Sequence, residues 1–497
     1  MQAHLNYQGR YMDILRRINR RRRRSKPVRR VLLLLLVAWL GMALFQSQRP
    51  LPNGLGASLP WRAADNPKLL LDQTWQSADG ERFSQQQIFD EVMEMIHQAR
   101  RLVVVDMFLF NEFAGQNSYR PLSGELTQAL IDARQRHPAM EVVLITDPFN
   151  TLYGGVENAH LTALRHAGVQ VVTTPVQQLP ASNPLWSGLW SICCQFLGNS
   201  TEDGWLPNPV GPGKVTLRSY LHLANFRANH RKTLIADSGE SWTALVTSGN
   251  PHDASSRHSN QALRFDGAAA LDLLQTELAV VQMTDIFTQP WPQADATPIT
   301  TDQARLRVLT EGAVGDALLQ TIDSSVAGDQ LDVEVFYLSH RPLIKALIDA
   351  RQRGVTIRVL LDPNRDAFGR EKNGIPNRQA AWDLHRAGIP LRWCNTSGEQ
   401  CHRKWLRLDR ADGRSELISG SANFTRRNLD DLNLETDVQL ATAHDHPTMQ
   451  AARDAFNQLW SNPEDIEYSL PYEAFADHNV GRYVIYRVME ASGLSTF

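Results

Sequence analysis

Two octapeptides decide how this chain folds: HRKTLIAD, His230 to Asp237, and HRKWLRLD, His402 to Asp409. Both have the form H-x-K-x-x-x-x-D, and both occupy the same place in a longer internal repeat. Upstream of them ALIDARQR occurs twice, at Ala129 to Arg136 and Ala346 to Arg353, 217 residues apart (346 − 129). Each copy runs into an apolar stretch ending in Asp-Pro, EVVLITDP (Glu141 to Pro148) and IRVLLDP (Ile357 to Pro363). Each is preceded by a β-rich run, LVVVDMFLF (Leu102 to Phe110) and LDVEVFYL (Leu331 to Leu338). Each is followed by a second helical pattern ending in Ala-Gly, at Ala167-Gly168 and Ala387-Gly388, and then a short strand. Strand, helix, strand, helix, strand in both halves predicts two similar α/β units. The period is too long for a solenoid, so the chain is a duplicated domain.

Residues two apart on an extended chain share a face, so each motif presents an imidazole and an ammonium together: His230 with Lys232, and His402 with Lys404. Two ammonium groups suit the non-bridging oxygens of a phosphate. A small-residue turn follows each motif, Ser248-Gly-Asn250 and Gly420-Ser421-Ala-Asn423, making Ser248, Asn250, Ser421 and Asn423 candidate phosphate-binding donors. Asp237 and Asp409 complete the candidate catalytic set. Lying five residues beyond each lysine and facing away from it, they read as structural partners of a backbone or an arginine. The histidines lack the neighbouring carboxylates or thiolates that would make a convincing metal site.

The net charge of −2 hides an asymmetry. Residues 1–30 carry eleven Lys or Arg against Asp13, a balance of +10, which leaves −12 for the rest (−2 − 10). A catalytic region that acidic is a poor match for a non-specific nucleic-acid binder. Val31 to Phe45, VLLLLLVAWLGMALF, is free of charge. It reads as a retained membrane anchor, with a cleaved signal peptide as the alternative. The positive-inside rule puts the basic block in the cytoplasm and the catalytic region outside it, as at a bacterial inner membrane facing the periplasm. Cys394 and Cys401 are placed for a small disulfide loop, and Cys193-Cys194 reads as two packed thiols. Between Ala-Gly and the motif the first half holds about sixty residues where the second holds about a dozen. The surplus, about 175–226, contains Trp186, Trp190, Phe196, Leu197 and Trp205. It is either a loop packing its own aromatics or a membrane-dipping lid at the mouth of the site.

Over about residues 95–465 the chain resembles the phospholipase D superfamily, the duplicated HKD enzymes, on its strand, Asp-Pro, HKD, GSxN and NxE order. Its anchored layout resembles the cardiolipin synthase and phospholipase D branch. The resemblance implies an α/β fold, a pseudo-twofold pair of phospholipase D-like domains behind an N-terminal transmembrane helix, and chemistry with no metal or cofactor. The expected division is a basic cytoplasmic tail (1–30), an anchor (31–47), a linker (48–90), domain 1 (91–295, with the insertion), domain 2 (296–465) and a tail (466–497). It implies cleavage or transfer of phospholipid headgroups through a phosphohistidine, with a phospholipid, the bilayer and an acceptor alcohol or water as partners. A periplasmic nuclease with the same motifs is the alternative. Asn433-Leu-Glu435 is read as supplying a histidine-orienting carboxylate, Glu435, to His402. The matching first-half position is read as Ala262, leaving His230 without one unless Asp253 substitutes. On that asymmetry, and on the family's habit of using the N-terminal histidine, His230 is expected to be the nucleophile.

Overall fold

The computed structural model describes residues 27–77, 79–113, 119–286, 288–295, 303–367, 370–495 and 497. The basic tail expected at 1–30 lies outside them except for its last four residues. The two halves form two sheets with the same strand order. The first runs Asp65–Leu71, Gln261–Asp266, Ser241–Thr247, Lys232–Ser238, Leu102–Met107, Glu141–Thr146, Gln170–Thr173. The second runs Arg305–Thr310, Thr436–Ala443, Arg414–Gly420, Lys404–Asp409, Gln330–Val335, Thr356–Leu361, Leu391–Cys394, with a short strand added at either edge.

Each motif strand sits in the middle of its sheet, antiparallel to both neighbours, with Lys232 opposite Met107 and Lys404 opposite Val335. The strands on the far side are parallel and joined by helices, which explains their unbroken apolar runs. The repeated ALIDARQR lies on those crossover helices. Leu126, Leu130 and Ala133 in one, and Leu343, Leu347 and Ala350 in the other, form the buried i, i+4, i+7 stripe. The sheets face each other across one shared core, where Ile235, Val246 and Leu263 pack with Val308, Leu417 and Val438. Helices cover the outer faces. The result is a pseudo-twofold α/β pair with both motifs facing the seam.

The segment expected to be a linker is partly sheet: Asp65–Leu71 forms the edge of the first sheet and Arg62–Ala63 that of the second. Its charged and small residues hid a strand that is half-buried rather than buried. The apolar stretch forms a helix over Pro27–Ser47, 21 residues, which is long and apolar enough to cross a bilayer and suggests membrane anchoring. Its last turns are strapped to the aromatic insertion. Gly188, in the insertion helix Pro184–Cys193, lies so close to Ala43 that a Cβ would meet its backbone nitrogen at 2.7 Å. Trp39 Nε1 donates to Leu185 O (2.8 Å) and Gln46 Nε2 to Ser191 Oγ (2.9 Å). Within the insertion Trp190 is buried, whereas Phe196 (80 %), Leu197 (61 %) and Trp205 (63 %) are exposed. Cys394 is bonded to Cys401, and Cys193 to Cys194, where two packed thiols were expected.

Candidate active site

The residue before each motif histidine is pinned by a buried aspartate. Asn229 N–H donates to Asp147 Oδ2 (2.7 Å), and Cys401 N–H donates to Asp362 Oδ2 (2.9 Å). These are the aspartates of the two Asp-Pro pairs. In the sequence they mark strand ends, and their recurrence in the repeat is the signal that points to this further role. Each histidine then donates its own N–H across the seam, His230 to Leu434 O (2.9 Å) and His402 to Ser259 O (2.8 Å). Lys232 Nζ folds back onto His230 O (2.6 Å) and Lys404 Nζ onto His402 O (2.7 Å). Phe108 packs tilted against the His230 ring and Phe336 edge-on against that of His402, with centroids 4.9 and 5.0 Å away.

The side chains that orient the rings also cross the seam, and here the sequence expectation fails. Glu435 lies 2.9 Å from Nδ1 of His230, not of His402. Nδ1 of His402 is 2.9 Å from Asn260 Oδ1. The first-half counterpart of Glu435 is therefore Asn260 and not Ala262, an offset of two residues. The ladders fix this: Ser248 N–H donates to Gln261 O as Ser421 N–H donates to Thr436 O, so Asn260 and Glu435 each precede the matching strand residue. Ala262 is a core residue. Asp253 does not reach the histidines; it accepts from Ser123 N–H (3.0 Å) and Oγ (2.7 Å) at the start of helix Leu122–Arg136.

Ser248 and Ser421, expected to meet phosphate, instead spend their hydroxyls on the orienting residues: Ser248 Oγ on Asn260 Oδ1 (2.8 Å) and Ser421 Oγ on Glu435 Oε2 (2.5 Å). Both serines are fully buried. Asn250 and Asn423 do line the cavity, and Asn423 Oδ1 has no partner among the described residues. Asp237 and Asp409 stand at the far ends of their strands. Asp237 Oδ1 accepts backbone N–H from Arg100, Arg101 and Leu102, while Asp409 meets Arg407 (3.0 Å), Arg453 (3.3 Å) and Ser415 Oγ (2.6 Å).

The cavity between the motifs is about 330 Å³, with apolar walls that include Phe149, Tyr153, Leu223 and Tyr337. Burial, aided by Lys232 and Lys404, holds both imidazoles well below their ordinary pKa, so both are neutral. Burial also draws Lys232 down to about 8 and Lys404 well below the usual lysine value. It pushes Glu435 up to about 7 and Asp437 to about 8. Glu435 accepts from Ser421 Oγ and Asn428 Nδ2, and Asn260 turns its amide nitrogen to His258 O (3.2 Å). Both partners therefore present oxygen to the rings, which assigns the proton to Nδ1 and leaves Nε2 with its lone pair in each. Two neutral imidazoles with free Nε2 at one cleft, with Lys232 and Lys404 buried directly behind them, can attack and stabilise a phosphoryl centre. Among the described residues, the group spaced to share a metal ion is Glu334 with Cys394 and Cys401, whose sulfurs are bonded to each other.

Residues 318–460 match the family model described as cardiolipin synthase, PLD-like domain. No curated protein matches the chain. Among solved structures it is similar to phosphatidylserine synthase from Haemophilus influenzae Rd KW20, at 10 % identity and a TM-score of 0.55 over 87 % of this chain and 97 % of that one. It is also similar to polyphosphate kinase from Porphyromonas gingivalis, at 13 % identity and a TM-score of 0.44 over 86 % and 53 %. A phospholipase D family member, Nuc from Salmonella typhimurium, shares 21 % identity at a TM-score of 0.27 over 32 % and 95 %. Residues 318–460, which hold the second H-x-K-x-x-x-x-D motif, thus resemble the cardiolipin synthase, PLD-like domain family, and the fold along most of the chain is shared with that phosphatidylserine synthase.

Proposed function

We propose that the protein cleaves or transfers phospholipid headgroups at the membrane surface through a phosphohistidine on His230. The observation that carries the assignment is the carboxylate of Glu435 at Nδ1 of His230; the sequence expectation reached the same nucleophile from the opposite placement, a His230 without a carboxylate, and that reason falls. As Nε2 attacks phosphorus, positive charge develops on the ring, and a carboxylate at Nδ1 stabilises it, as in a serine-protease triad. His402 is held by a neutral amide, so its imidazolium is the less stabilised of the two and the better proton donor.

In the first half-reaction the P–N bond forms and the P–O bond to the leaving alcohol breaks, with the alkoxide taking a proton from His402. A phosphodiester entering the cleft offsets the two lysines and supplies the condition under which His402 carries that proton. In the second half-reaction water or an alcohol attacks phosphorus and gives its proton to His402. The P–N electron pair returns to His230. Lys232, Lys404 and Asn423 stabilise the phosphoryl oxygens without reorganising. The apolar walls and the adjoining apolar helix support a lipid substrate. The expected topology, with the catalytic region outside the cytoplasm, belongs to this reading.

The test incubates the purified chain in mixed micelles with phosphatidylglycerol, phosphatidylethanolamine and single-stranded DNA, and resolves the products. Release or exchange of a lipid headgroup, lost in His230→Ala, is expected. Cleavage of the DNA with both lipids untouched would replace this reading with the nuclease.

A further inference from the structure

The cavity holds two guanidinium groups that the chemistry above leaves unused. Arg227, three residues before His230, and Arg427, six after Ser421, both line it. Arg227 is 5 % exposed. Its donors all end on neutral acceptors: Nε on Pro180 O (3.2 Å), Nη1 on Gln177 O (3.2 Å) and Nη2 on Gln46 Oε1 (2.7 Å). Arg427 gives Nη2 to Ser495 O and lies 5.0 Å over the Phe226 ring, while its buried Nε has no acceptor among the described residues.

Elsewhere at this seam the chain pairs its buried arginines. Arg231 meets Glu311 at 2.6 Å and Glu277 at 3.5 Å, and Arg403 meets Glu334 at 3.7 Å. Lys232 too has counter-charges in Glu435, Asp106, Asp437 and Asp147, and Lys404 in Glu435, Asp437 and Asp362. Among the described residues neither Arg227 nor Arg427 makes an ion pair with a carboxylate, and burial draws both down to about 10. Burying a cation without a counter-charge is costly unless a ligand completes it. One phosphodiester brings a single negative charge, and that charge falls to Lys232 and Lys404. Arg227 is also bonded to Gln46, in the last turn of the apolar helix, so its group lies on the side of the cavity nearest that helix.

We propose that Arg227 and Arg427 form a second anion subsite, which takes a second phosphate beside the one held at Lys232 and Lys404. Two planar forks suit phosphate oxygens. The second phosphate belongs either to the same lipid, as in a pyrophosphate-linked donor, or to a separate phospholipid that serves as acceptor. This inference rests on the phosphodiester reading of the site.

The test titrates the full chain in detergent with inorganic phosphate and with pyrophosphate, by calorimetry. Two phosphates per chain are expected, with Arg427→Gln removing one and Lys232→Met the other. Thermal unfolding checks that each variant is folded, and Arg427→Lys, which keeps the charge without the fork, stands in should the glutamine variant fail. Pyrophosphate binding at least tenfold tighter than phosphate, an advantage lost in Arg427→Gln, assigns both phosphates to one molecule. Two phosphates per chain with no pyrophosphate advantage assigns the second to a separate lipid. One phosphate per chain, unaffected by Arg427→Gln but lost in Lys232→Met, overturns the subsite and leaves the first site standing. Phosphate binding indifferent to Lys232→Met overturns the phosphodiester reading itself.

Discussion

Replacing Glu435 by glutamine separates the roles of the two histidines. The carboxylate is fully buried, 2.9 Å from Nδ1 of His230, and accepts from Ser421 Oγ and Asn428 Nδ2. A glutamine keeps the shape but carries one N–H₂ group into a ring of donors, so one contact must be lost. Two costs follow. Leaving a buried polar group unpaired removes about 1–3 kcal/mol of stability, readable as a lower urea midpoint. Losing the charge-assisted bond to the ring that becomes positive removes about 1.5–3 kcal/mol from the attacking transition state. At about 1.36 kcal/mol per decade that is a slowing of roughly 10- to 150-fold. The assay is rapid quench with a nitrophenyl phosphodiester, whose leaving group needs no acid, followed by mass spectrometry of the adduct. Slow adduct formation on His230 is expected in Glu435→Gln. Adduct forming at the wild-type rate and then persisting would place Glu435 in the second half-reaction and refute the assignment. Phosphate found on His402 would reverse it.

Other consequences of the geometry can be measured directly. Burial and the two lysines hold His230 and His402 unprotonated in the empty site, and Glu435 titrates at about 7. An entering anion raises all three, so dimethyl phosphate, whose single charge is fixed, should take up protons at pH 7. Calorimetry in buffers of different ionisation enthalpy should give a positive slope; a zero or negative slope counts against the electrostatics. Asp147 uses one oxygen on Phe149 N–H and the other on Asn229 N–H, each at 2.7 Å, so Asp147→Asn leaves one donor unpaired. It should lose about 1–3 kcal/mol of stability and lower kcat more than it raises KM; unchanged kcat would make the aspartate structural only. Phe196→Ser with Trp205→Ser changes two exposed side chains, so unfolding should move by no more than about 0.5 kcal/mol each. Turnover of bilayer lipid should fall while turnover of a short-chain soluble analogue holds; equal losses would remove the membrane role of these aromatics.

How far the sequence carried the fold and the site depends on what each residue's partner is. The succession of strands and helices along each half was legible because its signals are local: unbroken apolar runs, the repeated ALIDARQR stripe and Asp-Pro at each strand end. The half-buried edge strand Asp65–Leu71 was missed because its burial is too weak to leave a pattern. His230, Lys232, His402 and Lys404 were legible because two copies of one spacing in a repeat exclude chance. Their orienting partners were not. The position of Asn260 relative to Ser248 is set by a ladder bond, Ser248 N–H to Gln261 O, across a turn two residues shorter than its counterpart from Ser421 to Thr436. Aligning the halves by NxE alone therefore slipped to Ala262. More fundamentally, Glu435 serves a histidine 205 residues away and Asn260 one 142 residues away, because the pseudo-twofold exchanges partners between halves. Spacing within one repeat cannot show that exchange. The same exchange explains why the chain needs both halves: each alone would carry a motif histidine whose ring has lost the group that fixes its proton.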